Sequence, residues 1–247
     1  MHGIGNDFVL VDARSGPWPE RDILAQSVCD RRFGVGADGL IFVESGDLAP
    51  YRMRMLNPDG SESEMCGNGL RCVVKWLIER GVEPHAIETG GRVATVHASP
   101  DRIAVGMGVA EIRARELAVQ GYTGVLVDVG NPHFVVFVDD PWAIELEVVG
   151  PRLEVDPAFP DRANIHFAAI TGNDTLTQRT WERGAGITLA CGSGATAGAA
   201  AAHALGLVGP HVQVHLPGGD LWIDLDATGH ATMSGPAETA FTGVWLA

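Results

Sequence analysis

No stretch of this chain approaches the ~20 consecutive apolar residues that cross a bilayer, so no membrane-spanning helix is expected. Positive charge is scarce: 17 Lys and Arg stand against 31 Asp and Glu, a formal net charge of −14. Nucleic-acid binding needs a basic face, and none is visible; docking on anionic membranes is disfavoured for the same reason. The acidic balance reads as solubility. No basic segment followed by an apolar one opens the sequence, so no secretory signal is expected. Cysteine is sparse too, with Cys29, Cys66, Cys72 and Cys191 only. Four scattered cysteines do not make a disulfide framework in a chain of 247 residues, which points to the reducing cytoplasm. None forms a Cys-x-x-Cys pair and no His-rich spacing surrounds them, so no metal site is expected. Cys29 and Cys72 read as buried apolar side chains, the usual state of a free cysteine. No segment is of low complexity.

What the chain does have is an internal repeat. Cys66-Gly67-Asn68-Gly69 returns as Cys191-Gly192-Ser193-Gly194, 125 residues later, and each copy leads into a helix-forming stretch. Gly5-Asn6 returns as Gly130-Asn131 at the same offset, each pair ahead of an apolar run. Two halves in register imply two similar lobes with a ligand held between them. Apolar and polar residues alternate, or apolar residues run together, in strand-like segments at 8–12, 51–55, 125–129, 134–138, 212–216 and 221–225. Leu70, Val73, Val74, Leu77 and Ile78 form a helical stripe that Gly81 ends. A second helix, Ala195 to Leu205, is mostly alanine with Gly198 inside it. A helix apolar all round is a buried one, so it is expected inside a curved sheet or barrel. The lobes are expected at residues 1–115 and 116–234, with a linker near Glu111–Thr123. A closing segment, 235–247, is expected to cross back to the first lobe.

A helix N-terminus exposes unpaired N–H groups and a partial positive charge. A cysteine placed there has its thiolate stabilised, and the following glycines let backbone N–H groups approach an anion closely. One Cys-Gly-x-Gly alone is as well explained as a tight turn into a helix. Two in register place two thiols on opposite sides of one substrate. Proton removal from one face of a carbon and return on the other is the chemistry that needs them, so a racemase or epimerase is expected.

The motifs that carry a more specific resemblance span nearly the whole chain. They are Met1-His2-Gly3-Ile4-Gly5-Asn6-Asp7-Phe8, Asn57-Pro58-Asp59-Gly60-Ser61, Cys66 through Cys72, Gly130-Asn131-Pro132-His133, Arg162-Ala163-Asn164-Ile165, and Glu182-Arg183-Gly184-Ala185-Gly186 leading to Ala190-Cys191-Gly192-Ser193-Gly194. Together they resemble the diaminopimelate epimerase family, whose members interconvert L,L- and meso-diaminopimelate without pyridoxal phosphate. The resemblance implies an α+β fold of two pseudo-symmetric lobes, each a barrel-like sheet around a central helix, with the active site in the cleft. It implies Cys66 and Cys191 as a thiolate and thiol acid–base pair, with His133 and Glu182 tuning their protonation. Asn6, Asn57, Gly67, Asn68, Asn131, Asn164, Gly192 and Ser193 match substrate-binding positions. Arg183 would fork onto the distal carboxylate, and Glu182 would also meet an ammonium. No cofactor and no metal are implied; the partner is a small amino acid, and a homodimer is expected. His2 reads as structural.

The sequence departs from the family pattern at a few positions. Gly39 stands where many members carry Gln, Ile187 where Glu often follows Gly-Ala-Gly, and Thr196 where a small thiol or alanine is usual. The repeat pairs position 39 with Asn164, which marks it as facing the cleft. Members usually carry a short strand segment ahead of the opening motif, so a late start or a shortened first strand is expected. A proline or hydroxyproline racemase also uses two cysteines, but a monocarboxylic substrate has no need of Asn57, Asn164 and Arg183. A non-catalytic amino-acid-binding or thiol redox protein is the reading from another class, and thiols facing across a cleft would make activity sensitive to oxidants.

Overall fold

The computed structural model describes residues 1–63 and 65–246. It is mixed α+β, mostly sheet with four α-helices among the described residues. The chain divides into two compact units, Met1–Val105 with Gly235–Ala247, and Gly106–Ser234. Ala247, the last residue of the expected closing segment, lies outside the described residues.

The first unit carries β1 (His2–Gly3), β2 (Asn6–Asp12), α1 (Arg21–Cys29), β3 (Gly39–Ser45), β4 (Tyr51–Leu56), β5 (Glu62–Ser63), α2 (Gly67–Ile78), β6 (Ala86–Thr89) and β7 (Arg92–Ala98). β8 (Ile103–Val109) leaves it for the second unit. β2 and β3 are parallel, with Phe8 opposite Gly39, and β3 pairs antiparallel to β4 with Ile41 opposite Met55. Residues 39–44 are buried without a break. The reason is that β3 is covered on both faces, as parallel strands usually are. Leu40 and Phe42 pack with Ala25, Val28 and Cys29 of α1, while the Ile41 methyl reaches Gly69 in the first turn of α2. Each of those large side chains contributes about 2 kcal/mol by leaving water.

α2 buries Leu70, Val73, Val74 and Leu77, the stripe expected from their spacing. The helix ends at Ile78. Gly81, at φ 76°, lets its own N–H reach the Ile78 carbonyl and the Val82 N–H reach Leu77, closing the end. Arg71 is the largest fully buried side chain among the described residues. Its Nε donates to the Pro236 carbonyl at 3.2 Å, tying the closing segment to α2. His2 and Glu238 exchange backbone hydrogen bonds at 2.9 Å, which fixes the same segment to β1. Burial pulls the Arg71 pKa down to about 10. Cys29 and Cys72 are buried, as expected, and burial pushes their thiols up to about 11 and about 12.

The second unit carries β9 (Glu111–Val119), β10 (Tyr122–Asp128), β11 (Pro132–Phe137), α3 (Leu146–Glu154), β12 (Asn164–Gly172), β13 (Thr175–Glu182), β14 (Gly186–Ile187), α4 (Gly192–Ala204), β15 (His211–Leu216), β16 (Gly219–Leu225) and β17 (His230–Gly235). β11 and β12 are parallel with His133 opposite Asn164, and β12 pairs antiparallel to β13 with His166 opposite Thr180. These two registers are those of β2–β3–β4, displaced by 125 residues. Ile165 and Phe167 pack under α3 with Leu146 and Leu153. α4 packs against strands β9 to β13, β15 and β16, and its alanines are buried from Ala195 to Ala202. Gly198 sits in that helix because a Cβ there would overlap the Gln178 carboxamide.

Residues 111–123 are not a linker. Their alternating exposed and half-buried side chains pair β9 to β10 through a turn at Gln120 and Gly121, both at positive φ.

Arg71→Ala removes a buried side chain and leaves the Pro236 carbonyl without its donor. We expect a loss of roughly 3 kcal/mol in urea unfolding and faster proteolysis within 235–246. Unchanged stability would show that Arg71 does not anchor the segment.

Candidate active site

Cys66 is the N-cap of α2, in extended backbone at φ −136°, ψ 103°. Its Sγ accepts the Gly69 N–H at 3.3 Å, and its carbonyl accepts the Leu70 N–H at 2.9 Å. Cys191 caps α4 in the same way, at φ −124°, ψ 109°, with the Gly194 N–H 3.3 Å from Sγ and the Ala195 N–H 2.9 Å from its carbonyl. Sulfur replaces the oxygen of the usual Ser or Asp cap. The second glycine of each motif is forced from behind. A Cβ at Gly69 would come within 2.8 Å of Ile41, and one at Gly194 would overlap His166.

Around Cys66 the first unit gathers Asn6 and Asn68. The Asn68 Nδ2 donates to Asn6 Oδ1 at 3.1 Å, and that oxygen lies 4.0 Å from Cys66 Sγ. Asn6 Nδ2 donates to Asp38 Oδ2 at 2.7 Å, and Arg31 bridges Asp38 and Asp7 at 2.7 Å each. Asp38 and Arg31 hold the Asn6 amide, and neither was expected from the sequence. Asn57 lies elsewhere in that unit's hydrogen bonding, in the turn after β4 with its Nδ2 on Ser61 Oγ at 3.0 Å. Gly39 is buried opposite Phe8, where a side chain would meet the Met55 methyl at 2.8 Å and the Leu56 carbonyl at 3.1 Å. A glutamine there would have to displace Met55.

Around Cys191 the second unit places Ser193, whose Oγ is 3.6 Å from Sγ, and Glu182, whose carboxylate takes a hydrogen bond from the thiol. Thr188 Oγ1 donates to Glu182 Oε1 at 2.5 Å and steadies it. Asn164 bridges two backbones: its Nδ2 donates to the Pro132 carbonyl at 3.0 Å and its Oδ1 accepts the Arg183 N–H at 3.0 Å. The Arg183 guanidinium donates to the Asp161 carbonyl at 2.8 Å. Glu154, buried and missed by the sequence reading, takes the Trp181 indole N–H at 2.7 Å and the Gly184 N–H at 3.1 Å, fixing the turn that follows Glu182. His133 is fully buried, with Nε2 2.7 Å from Asn131 Oδ1 and Nδ1 2.9 Å from His166 Nε2. His166 was also missed. Strand alternation from Asn164 would have found it, since residues two apart share a face. Ile187 is exposed, and Thr196 closes its hydroxyl onto the Gly192 carbonyl at 2.9 Å.

Helix position alone would lower both thiol pKa values. At Cys191 the opposite holds: burial first, then the negative Glu182, push the thiol well above its ordinary range, and the N–H of Gly194 and hydroxyl of Ser193 only offset part of this. Cys191 is therefore held as the thiol. Burial holds His133 down at about 3, helped by the Arg183 charge, and holds His166 well below its ordinary value with His133 adding to it. Both imidazoles are neutral.

The α+β arrangement that carries these caps, mostly sheet with four α-helices among the described residues, is a fold seen elsewhere. A Bacillus anthracis phenazine biosynthesis protein of the PhzF family superposes with TM-score 0.72 over 95% of this chain and 91% of its own, at 18% identity. A probable proline racemase from Agrobacterium radiobacter K84 gives 0.68 over 98% and 92%, at 16% identity. At these identities they share the fold alone. The model of the diaminopimelate epimerase family matches residues 1–113 and 125–240. A diaminopimelate epimerase of Moorella thermoacetica is 42% identical over 98% of this chain and 96% of its own. The chain belongs to the diaminopimelate epimerase family.

Glu182→Gln removes the negative charge beside Cys191. We expect the Cys191 thiol to ionise at lower pH, read as a leftward shift of the pH–rate profile for its alkylation in a Cys66→Ala background; an unmoved profile would assign the raised value to burial alone.

The two neutral histidines also set an acid limit. Their contribution to stability is complete above about 6.5, where the unfolded chain too is neutral, and is lost as pH falls towards the folded value near 3. Unfolding free energy should fall by up to about 1.4 kcal/mol per pH unit for each histidine in that window. His133→Phe with His166→Ile should flatten the slope; an equal slope in the double variant would place the acid sensitivity elsewhere.

Proposed function

We propose that the chain is a pyridoxal-phosphate-independent epimerase that interconverts L,L- and meso-diaminopimelate. The observation that carries this reading is the matched pair of N-cap cysteines, each with its Sγ 3.3 Å from the N–H of the motif's second glycine. Family membership gives the substrate. In this reading each unit is a barrel-like lobe around its central helix, and the 125-residue repeat makes the two lobes pseudo-symmetric.

A thiolate at Cys66 takes the α-proton, and the pair of electrons left on the α-carbon spreads into the substrate carboxylate. The Cys191 thiol returns a proton on the opposite face, leaving Cys66 as thiol and Cys191 as thiolate. The reverse direction uses the roles exchanged, so the two titrate as a pair. Helix-end N–H groups of Gly67-Asn68 and Gly192-Ser193 meet the charge that grows on the carboxylate. Asn6, Asn57, Asn131 and Asn164 offer donors and acceptors to a zwitterion, with Arg183 for the distal carboxylate and Glu182 for an ammonium. Glu182 also keeps Cys191 protonated until a carbanion claims its proton. The enzyme would work as a cytoplasmic homodimer in the supply of a lysine and peptidoglycan precursor.

The test is proton NMR of reduced protein with L,L-diaminopimelate in D2O, following loss of the α-proton signal and growth of the meso product. Cys66→Ala and Cys191→Ala should each lose turnover about a thousandfold or more, the scale of a missing general acid or base. Exchange of proline in place of diaminopimelate would move the reading to a proline racemase, and full turnover in either variant would end the two-thiol mechanism.

A further inference from the structure

The two units diverge at one set of buried positions. At the offset of 125 residues, Phe8, Ile41, Met53, Met55 and Val73 of the first unit correspond to His133, His166, Gln178, Thr180 and Gly198 of the second. The pairings agree, Ile41 opposite Met55 and His166 opposite Thr180, and all of the side chains are buried. The first unit shows that an apolar column fills this place. Four polar groups there cost free energy unless they are hydrogen-bonded to one another. α4 even gives up a side chain at Gly198 to make room for the Gln178 carboxamide.

The hydrogen bonds of the column run in one direction. Gln178 Nε2, a donor only, lies 3.3 Å from His166 Nδ1 and 3.5 Å from Thr180 Oγ1, and the Thr180 hydroxyl is 2.9 Å from the same Nδ1. His166 Nδ1 therefore accepts, and the ring's one proton sits on Nε2. That proton is given to His133 Nδ1 at 2.9 Å, which leaves the His133 proton on Nε2, 2.7 Å from Asn131 Oδ1. Asn131 spends its oxygen on the column. Its repeat partner Asn6 does the reverse, spending its Nδ2 on Asp38 and turning its oxygen towards Asn68 and Cys66.

We propose that His166, aligned by Gln178 and Thr180, is a positioning residue: it fixes His133 as the Nε2–H tautomer and so turns the Asn131 amide to offer its NH2 group, a donor for a substrate carboxylate. The equivalent asparagine of the first unit turns its oxygen, an acceptor, towards Cys66, so two copies of one residue present opposite polarity. The substrate half of this inference rests on Asn131 being a substrate-binding residue; the tautomer half does not.

The test pairs a spectrum with kinetics. Long-range proton–nitrogen-15 NMR of the imidazoles, assigned by single-histidine variants, should show His133 and His166 both protonated on Nε2. In His166→Ile, the residue of the first unit, His133 should lose its single tautomer and KM for L,L-diaminopimelate should rise about tenfold with kcat little changed, the size of one misdirected hydrogen bond. His166→Gln, which keeps a donor towards His133, should restore both readouts. Should His166→Ile fail to fold, Thr180→Val and the wild-type spectrum decide the same question. His133 protonated on Nδ1 in the wild type would overturn the proposal, as would an unchanged KM once the tautomer is lost. If the wild type turns over no diaminopimelate at all, the functional reading fails while the spectrum still decides the relay.

Discussion

Everything at the candidate site depends on a sulfur standing where a helix cap normally has oxygen. Because Sγ accepts an N–H of its own helix, the cysteine's rotamer is fixed by the helix itself, and two covalently short motifs set two reactive atoms without any long-range adjustment. The cap also explains the glycine three residues on. The space where its side chain would be is already taken, by Ile41 behind α2 and by His166 behind α4. The strand behind each helix therefore decides how near the helix end can lie, and β3 and β12 are buried on both faces because each is pressed between two helices.

The electrostatics of the two caps then come from their surroundings more than from the helix ends. A helix N-terminus is worth on the order of 1 kcal/mol to an anion. A thiol as buried as Cys191, with a carboxylate against it, is pushed the other way by more. The second cap therefore stores a proton, and in the proposed reaction the helix end acts on the charge that forms on the substrate. One cap arrangement gives an acid where the environment is dry and acidic, which is how a repeated motif acquires two roles.

The repeat, both cysteine caps and the α2 and α4 helices were legible in the sequence because each is written in local pattern: a four-residue motif, a 3.6-residue stripe, a run of alanines. α1 was not: Ala25, Val28 and Cys29 do fall at i, i+3 and i+4, but the stripe is short and made of small side chains, and Ile23 stands exposed outside it. α3 was hidden by Pro151 within it. β3 is apolar on both faces and lacks alternation, and in β12 only Asn164 and His166 alternate with apolar residues before the run turns apolar, too short a signal to say strand. The segment at 111–119 looked like a linker because an exposed strand has little apolar signal to show. At the site, residues that touch a cysteine or follow a glycine were found, whereas Asp38, Arg31 and Glu154 were not. Each of these acts through another side chain from more than twenty residues away, and nothing in a linear pattern records that.

The buried polar column is the clearest case of a feature visible only when sequence repeat and structure are read together. Position by position, His166 is an unremarked residue in an apolar strand. Set against Ile41, it is a polar group in a place that the same chain fills with hydrocarbon. A stability argument favours the hydrocarbon, because burying imidazoles costs free energy and makes the fold lose stability in acid. The internal hydrogen bonds offset only part of that cost, since the Gln178 Oε1 is buried without a partner, and they leave the column with a direction that ends at the Asn131 oxygen. A column with one exit does one thing: it decides which end of that amide faces outward. Divergence between duplicated halves is thus concentrated where the halves must stop being equivalent, since two identical settings of one asparagine cannot present a donor in one place and an acceptor in the other.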